Sequence, residues 1–242
     1  MKLVHASVIS TSIVIFLGIA MIAPTFTRNF SCGQPLKVAL FFFVNDIDSD
    51  EWCGELASIL RKEGVKATVF FTGKFALLHP DRVADFDGGV DVGSQTFDYV
   101  NLTSIQDYSI QLQEVSDGKA AVDSAGKLES RLFSAPYGST DENIYSLLNR
   151  SNIIADFSYP DHYNKFYDGQ FIRMEIPVYD GSKHSPSFFL NLPRDDGPLT
   201  IFFDDSSPIE KIKELISSLK SSNCWLYNAS ELTGMALTVR EG

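Results

Sequence analysis

The run Val38-Ala39-Leu40-Phe41-Phe42-Phe43-Val44 is apolar at every position. A strand of this kind is buried on both faces, unlike a strand of an open sheet with one wet side. A helical pattern follows at once. Ser49, Asp50 and Glu51 open it, Trp52, Leu56, Ile59 and Leu60 share one face, and Gly64 ends it. Residues 67–71 and 90–94 read as the next two strands. Thr103 or Ser104 caps a long helix running toward Leu128, with Ile105, Tyr108, Leu112 and Val115 at helical spacing. Residues 132–135, 153–157, 172–177, 199–203 and 224–227 read as further strands. Thr140 caps a helix over 141–149, and Pro208 starts another that buries Ile212, Leu215, Ile216 and Leu219.

Strands and helices that alternate along one chain imply a mostly parallel sheet with helical crossovers. Seven or eight such strands close naturally into a distorted (β/α) barrel, whose functional groups gather at the carboxyl ends of its strands. Here that mouth collects Asn45, Asp46 and Asp48, then Gln95 to Tyr99, then Pro136 and Tyr137, then Asp156, then Asp204 and Asp205. Closure also makes the starts of the first and last strands neighbours, which predicts a Cys32–Cys224 disulfide. Two unrelated buried thiols are the alternative. With three cysteines in the chain, at most one intrachain bridge forms.

Hydrophobic residues are 44% and aromatic residues 12% of the 242, the composition of a globular protein. Acids outnumber bases 31 to 20, and a net charge of -11 makes nucleic acid a poor partner. Residues 1–25 read as a signal peptide or membrane anchor, 26–36 as a linker and 37–242 as the barrel domain. The apolar stretch 3–23 is close to the ~20 residues of a membrane helix. It reads as an uncleaved anchor, with a cleaved leader as the alternative, and both place the domain outside the cytoplasm. Asn29, Asn101, Asn149 and Asn228 head glycosylation sequons, in keeping with export.

Three segments then carry a resemblance. They are Gly64-Val65-Lys66-Ala67-Thr68-Val69-Phe70-Phe71-Thr72-Gly73-Lys74, Asp91-Val92-Gly93-Ser94-Gln95-Thr96-Phe97-Asp98-Tyr99-Val100-Asn101-Leu102-Thr103, and Phe133-Ser134-Ala135-Pro136-Tyr137-Gly138. In that order they resemble the polysaccharide deacetylase family, also called the NodB-homology domain or carbohydrate esterase family 4, from about Val38 to Leu232. The resemblance implies metal-assisted hydrolysis of an N-acetyl group. An Asp and two His hold a divalent metal, usually zinc. A second Asp is the base, an Arg orients it, a backbone amide near the Tyr holds the oxyanion, and a late His is the acid.

This sequence departs from that pattern at nearly every such position. If Val44-Asn45-Asp46 aligns with the family's Phe-Asp-Asp, the base position holds Asn45 and the metal Asp remains as Asp46. Another register places Phe43 and Val44 there. The two His positions hold Gln95 and Tyr99, the Arg position holds Ser134, and the late His falls on Phe203 or beside it at Asp204. A neutral amide and a phenol that titrates near ~10 do not replace imidazole for zinc. His5 lies in the apolar leader, and His79, His162 and His184 fall in expected loops.

Two readings follow. In the first, an inactive domain without a cofactor binds a cell-envelope glycan or a membrane-associated protein at the mouth. Phe97, Tyr99, Pro136, Tyr137 and Asp156 are its expected contacts. In the second, a hydrolase uses a divalent metal. That metal is zinc if the resemblance extends to chemistry, or calcium or magnesium if Asp46, Asp48, Asp98 and Asp204 converge. A structural subunit of a membrane or surface-layer complex is a further alternative.

Overall fold

The computed structural model describes residues 34–158, 163–167, 172–194 and 197–241. The expected apolar helix over 3–23, Cys32, Asn29, His5 and His162 lie outside them. Among the described residues no helix is long and apolar enough to cross a membrane.

The chain builds a curled α/β sheet. Its first parallel strands are β1 (Leu36–Val44), β2 (Ala67–Phe71), β3 (Val90–Ser94), then, after the short β4 (Leu128–Ser130), β5 (Leu132–Phe133) and β6 (Ala155–Asp156). The antiparallel β7 (Tyr163–Tyr167) follows, then β8 (Ile172–Asp180) and β9 (Leu199–Asp204). β9 pairs with β1 over Val38–Phe43, so the pairing runs round to where it began. The other edge of β1 takes β10 (Cys224–Tyr227) along its first half and β2 along its second. Leu36 and Cys224 are therefore Cα partners, which brings the expected strand starts together.

Helices α1 (Asp50–Glu63), α2 (Gly73–Leu78), α3 (Pro80–Ala84), α4 (Tyr108–Gly126), α5 (Glu142–Arg150), α6 (Pro186–Leu190), α7 (Ile209–Lys220) and α8 (Ala229–Thr233) complete the described fold, with a small β4–β11 (Thr238–Arg240) pair. α1 ends at Gly64 in the left-handed conformation, as the sequence requires.

Alternation along β1 accounts for its apolar run. Val38, Leu40, Phe42 and Val44 pack in the layer shared with α1 and α7. Ala39, Phe41 and Phe43 pack inside the curl with Phe70, Leu132, Ala155 and Phe157. Phe41 meets Phe70 and Phe157 edge-on at 5.6 and 5.2 Å, and Phe43 stacks on Phe70 at 5.2 Å. Each fully buried ring of this size is worth about 1.5–3 kcal/mol.

Two helix starts differ from expectation. Asp107, not Thr103 or Ser104, caps α4 by accepting from Ser109 N. Leu102–Ser104 instead forms a turn of 3-10 helix, tied down by Gln111 Nε2 donating to the Leu102 and Ile105 carbonyls. Asp141, not Thr140, caps α5 by accepting from Ile144 N.

Candidate functional site

The carboxyl ends of β1, β3, β8 and β9 and the loops after β3 and β5 enclose a cavity of about 490 Å³. Phe43, Asn45, Gln95, Tyr99, Tyr137, Asp180, Lys183 and Asp204 are among its lining residues. A second depression of about 450 Å³ shares Asn45 and Tyr99 and adds Asp46, Lys74, Phe97, Asp98 and Asp205.

The β3–α4 loop that carries Gln95 and Tyr99 is fixed from below. Gly73 and Lys74 donate backbone N–H groups to the Thr96 and Phe97 carbonyls, and Phe97 N donates to Glu114 O. α4 approaches so closely that a Cβ on Gly118 would lie 2.4 Å from the Gln95 carbonyl oxygen. Only glycine allows that distance.

Gln95 is 1% exposed. Its Nε2 donates to Asn45 Oδ1 at 3.0 Å and to the carbonyls of Phe70 and Val44 at 3.3 and 3.4 Å. Those carbonyls only accept, so the amide nitrogen must face them. Asp205 secures Asn45 from the other side. Its Oδ2 accepts from Asn45 N and Asp46 N, both at 2.7 Å, and from Ser49 Oγ at 2.8 Å.

Tyr99 and Tyr137 both adopt the left-handed backbone conformation, with φ 58° and 60°. That costs a non-glycine residue on the order of 1–3 kcal/mol. Their rings meet at 5.2 Å between centroids, and Tyr137 is 68% exposed. Burial pushes the Tyr99 phenol up to about 12, with smaller contributions from Tyr137, Asp204 and Asp205.

Several expected contacts lie elsewhere. Asp156 is fully buried and lines neither cavity. Ala155 and Phe157 take the inward positions of that strand, so the intervening Asp156 faces the helix layer. Its Oδ1 accepts from Ser158 N and Oγ at 2.9 and 2.5 Å, and burial pushes its carboxyl up to about 6 against those two bonds. Ser134 and Pro136 are buried and also absent from both linings, with Ser134 Oγ donating to Phe157 O. Asp46 and Phe97 line the second depression, away from Tyr137 and Asp204. The expected convergence of Asp46, Asp48, Asp98 and Asp204 is likewise not found, because Asp204 opens on a different cavity from Asp46 and Asp98.

His79 is held inward, its Nε2 2.8 Å from the Ile47 carbonyl oxygen. Asn149 is exposed, whereas Asn228 is 8% exposed and caps α8, with its Nδ2 committed to the Gly89 carbonyl. Attachment of a glycan to Asn228 would break that bond.

The sequence reading missed Asp180 and Lys183. A shared Asp-x-Ser signal marks the former. Asp180 and Asp204 each end a strand, and each Oδ1 accepts from the N–H and hydroxyl of the serine two residues on. Asp156 and Ser158 repeat the arrangement on the buried side.

Residues 34–154, half of the chain, match the family model described as polysaccharide deacetylase. The chain belongs to the polysaccharide deacetylase family. This family member is 32% identical over 97 residues to a chitooligosaccharide deacetylase of Azorhizobium caulinodans, a match covering 39% of this chain and 46% of that relative. The chain thus spans less than half of the curated relative's length. A family 4 carbohydrate esterase from Streptomyces lividans superposes with a TM-score of 0.60 at 20% identity, covering 81% of this chain and 93% of that one. A carbohydrate esterase family 4 pseudoenzyme from Bacillus anthracis gives 0.62 at 17% identity, covering 82% and 65%. At these identities the likeness is one of fold.

The residues present in this deacetylase-family mouth do not fit the zinc ion that the resemblance implies. Gln95 turns its nitrogen into a closed set of acceptors, and Tyr99 keeps its proton at neutral pH. Among the described residues no three His, Cys, Asp or Glu side chains come together in a metal-binding group.

Proposed function

We propose that this domain binds a cell-envelope glycan at the mouth of its sheet and does not hydrolyse it. The observation that carries the reading is the Gln95–Asn45 hydrogen bond. Two positions that the resemblance assigns to a metal ligand and to the catalytic base are tied to each other as neutral amides. Neither accepts a proton, and Gln95 offers no imidazole lone pair. The Tyr99–Tyr137 platform and the acids around it supply what a sugar needs, a ring face to stack on and acceptors for hydroxyls. The pseudoenzyme of Bacillus anthracis is a precedent for a silent member on this fold. We also propose that residues 3–23 hold the domain at a membrane, outside the cytoplasm, where such a glycan is found.

The test is acetate release from acetylated chitooligosaccharide by the full-length chain, with and without added zinc, alongside calorimetric binding of the same oligosaccharide. Binding without acetate is expected. Acetate release that disappears in Asp46→Ala would overturn the silent reading.

A further inference from the structure

The charges and unpartnered acceptors around the mouth narrow the class of sugar, an inference that rests on the glycan-binding reading above. Among the described residues, five acids line the two cavities (Asp46, Asp98, Asp180, Asp204 and Asp205) against two lysines. Both lysines are already paired, Lys183 with Asp180 at 2.9 Å and Lys74 with Asp98 at 3.2 Å. Asp205 spends one oxygen on three donors of the β1–α1 loop. Asp204 is different. Its Oδ1 takes every hydrogen bond from Ser206 and Ser207, and no donor reaches its Oδ2 among the described residues.

A second acceptor faces the same space. Gln95 lines the cavity although it is 1% exposed. Its nitrogen is enclosed by three acceptors, so its contact with the cavity falls to Oε1, which no donor reaches among the described residues. That oxygen is not sealed off but opens on the cavity, where a ligand donor can take the place of solvent.

The geometry points to an amino sugar carrying a free, protonated amine, with its ring face on Tyr99 and Tyr137 and its ammonium donating to Asp204 Oδ2 and Gln95 Oε1. The preferred polymer is one already deacetylated, so the reaction that supplies this ligand is an N-deacetylation carried out by another enzyme. An acetamide is neutral and carries a single N–H, so it can donate to only one of the two acceptors and forms no ion pair with the carboxylate. Charge-assisted hydrogen bonds are about twice as strong as neutral ones.

Calorimetry on the full-length chain with a fully deacetylated glucosamine hexamer and a fully acetylated hexamer tests this. At acid pH and low salt the deacetylated hexamer is expected to bind at least about tenfold tighter, a difference that high salt or alkaline pH erases. Asp204→Asn keeps the Oδ1 acceptor and puts a donor in place of Oδ2, so it is expected to abolish the preference. If that variant does not fold, the salt and pH dependence of the unaltered chain decides. Equal or tighter binding of the acetylated hexamer overturns the amino-sugar preference and leaves glycan binding standing. Binding of neither hexamer overturns both. A preference that survives in Asp204→Asn overturns the assignment of the ammonium to that carboxylate.

Discussion

Gln95 Nε2 and Asn45 Oδ1 meet at 3.0 Å and join the ends of β3 and β1. The bond makes the floor of the mouth a structural element. Replacing Gln95 with Leu keeps most of the volume but takes the donor from Asn45 Oδ1 and removes the side-chain bonds to the Phe70 and Val44 carbonyls, of which Val44 still receives Thr72 N. The expected loss is about 1–3 kcal/mol in chemical denaturation. Gln95→His is expected to take up no stoichiometric zinc by metal analysis, because Tyr99 stays protonated. Tight zinc in that variant would reveal donors that this geometry does not bring together.

Asp205 ties the β1–α1 loop to the end of β9. Asp205→Ala strands two backbone N–H groups and the Ser49 hydroxyl, and a loss of at least about 2 kcal/mol is expected. Hydrogen exchange of the Asn45 and Asp46 amides is expected to speed up in the variant. Unchanged protection of both would contradict the arrangement.

Asp156 gives the fold a pH dependence. Its folded value, pushed by burial from 3.8 to about 6, lies above its unfolded one. Between those values the folded state holds a proton that the unfolded state has released. Stability therefore falls as pH rises through this window and levels off above it, by about 2–3 kcal/mol in all. Asp156→Asn retains an acceptor for Ser158 and is expected to flatten this slope and to stabilise the domain at neutral pH. Parallel stability–pH curves for the two proteins would contradict the assignment.

Tyr137 separates stability from binding. Its backbone is left-handed and its ring is mostly exposed. Tyr137→Gly relieves the backbone and is expected to raise stability by about 0.5–1 kcal/mol. The same change removes half of the stacking platform, and oligosaccharide affinity is expected to fall about tenfold, in line with an aromatic contact worth ~1.5 kcal/mol. A variant that binds as well as the parent would remove Tyr137 from the site.

Much of the scaffold was legible. β2, β3 and β10 fall where the sequence placed them, because β2 and β10 are short apolar or β-branched runs and Val90 and Val92 alternate along β3 just after Gly88 and Gly89. Helix starts slipped where two capping residues stood close together, and packing chose between them. The β7 strand was missed. Tyr163-Asn164-Lys165-Phe166-Tyr167 has no continuous apolar run, and its partner β8 lies across a separate connection. Within the site, Asn45, Gln95, Tyr99, Tyr137 and Asp204 share a cavity as expected, whereas Ser134, Pro136 and Asp156 do not.

Residue identity by itself settled two matters. Apolar runs with no polar face had to lie in a sheet covered on both sides, and positions 95 and 99 could not supply imidazole nitrogen. Long-range packing settled which acids face the mouth. In a two-residue strand such as β6 the parity that turns Asp156 toward the helices is invisible locally, because it is imposed by register with neighbouring strands. The same packing turned Gln95 nitrogen-inward, since only the folded chain brings the Val44 and Phe70 carbonyls to it.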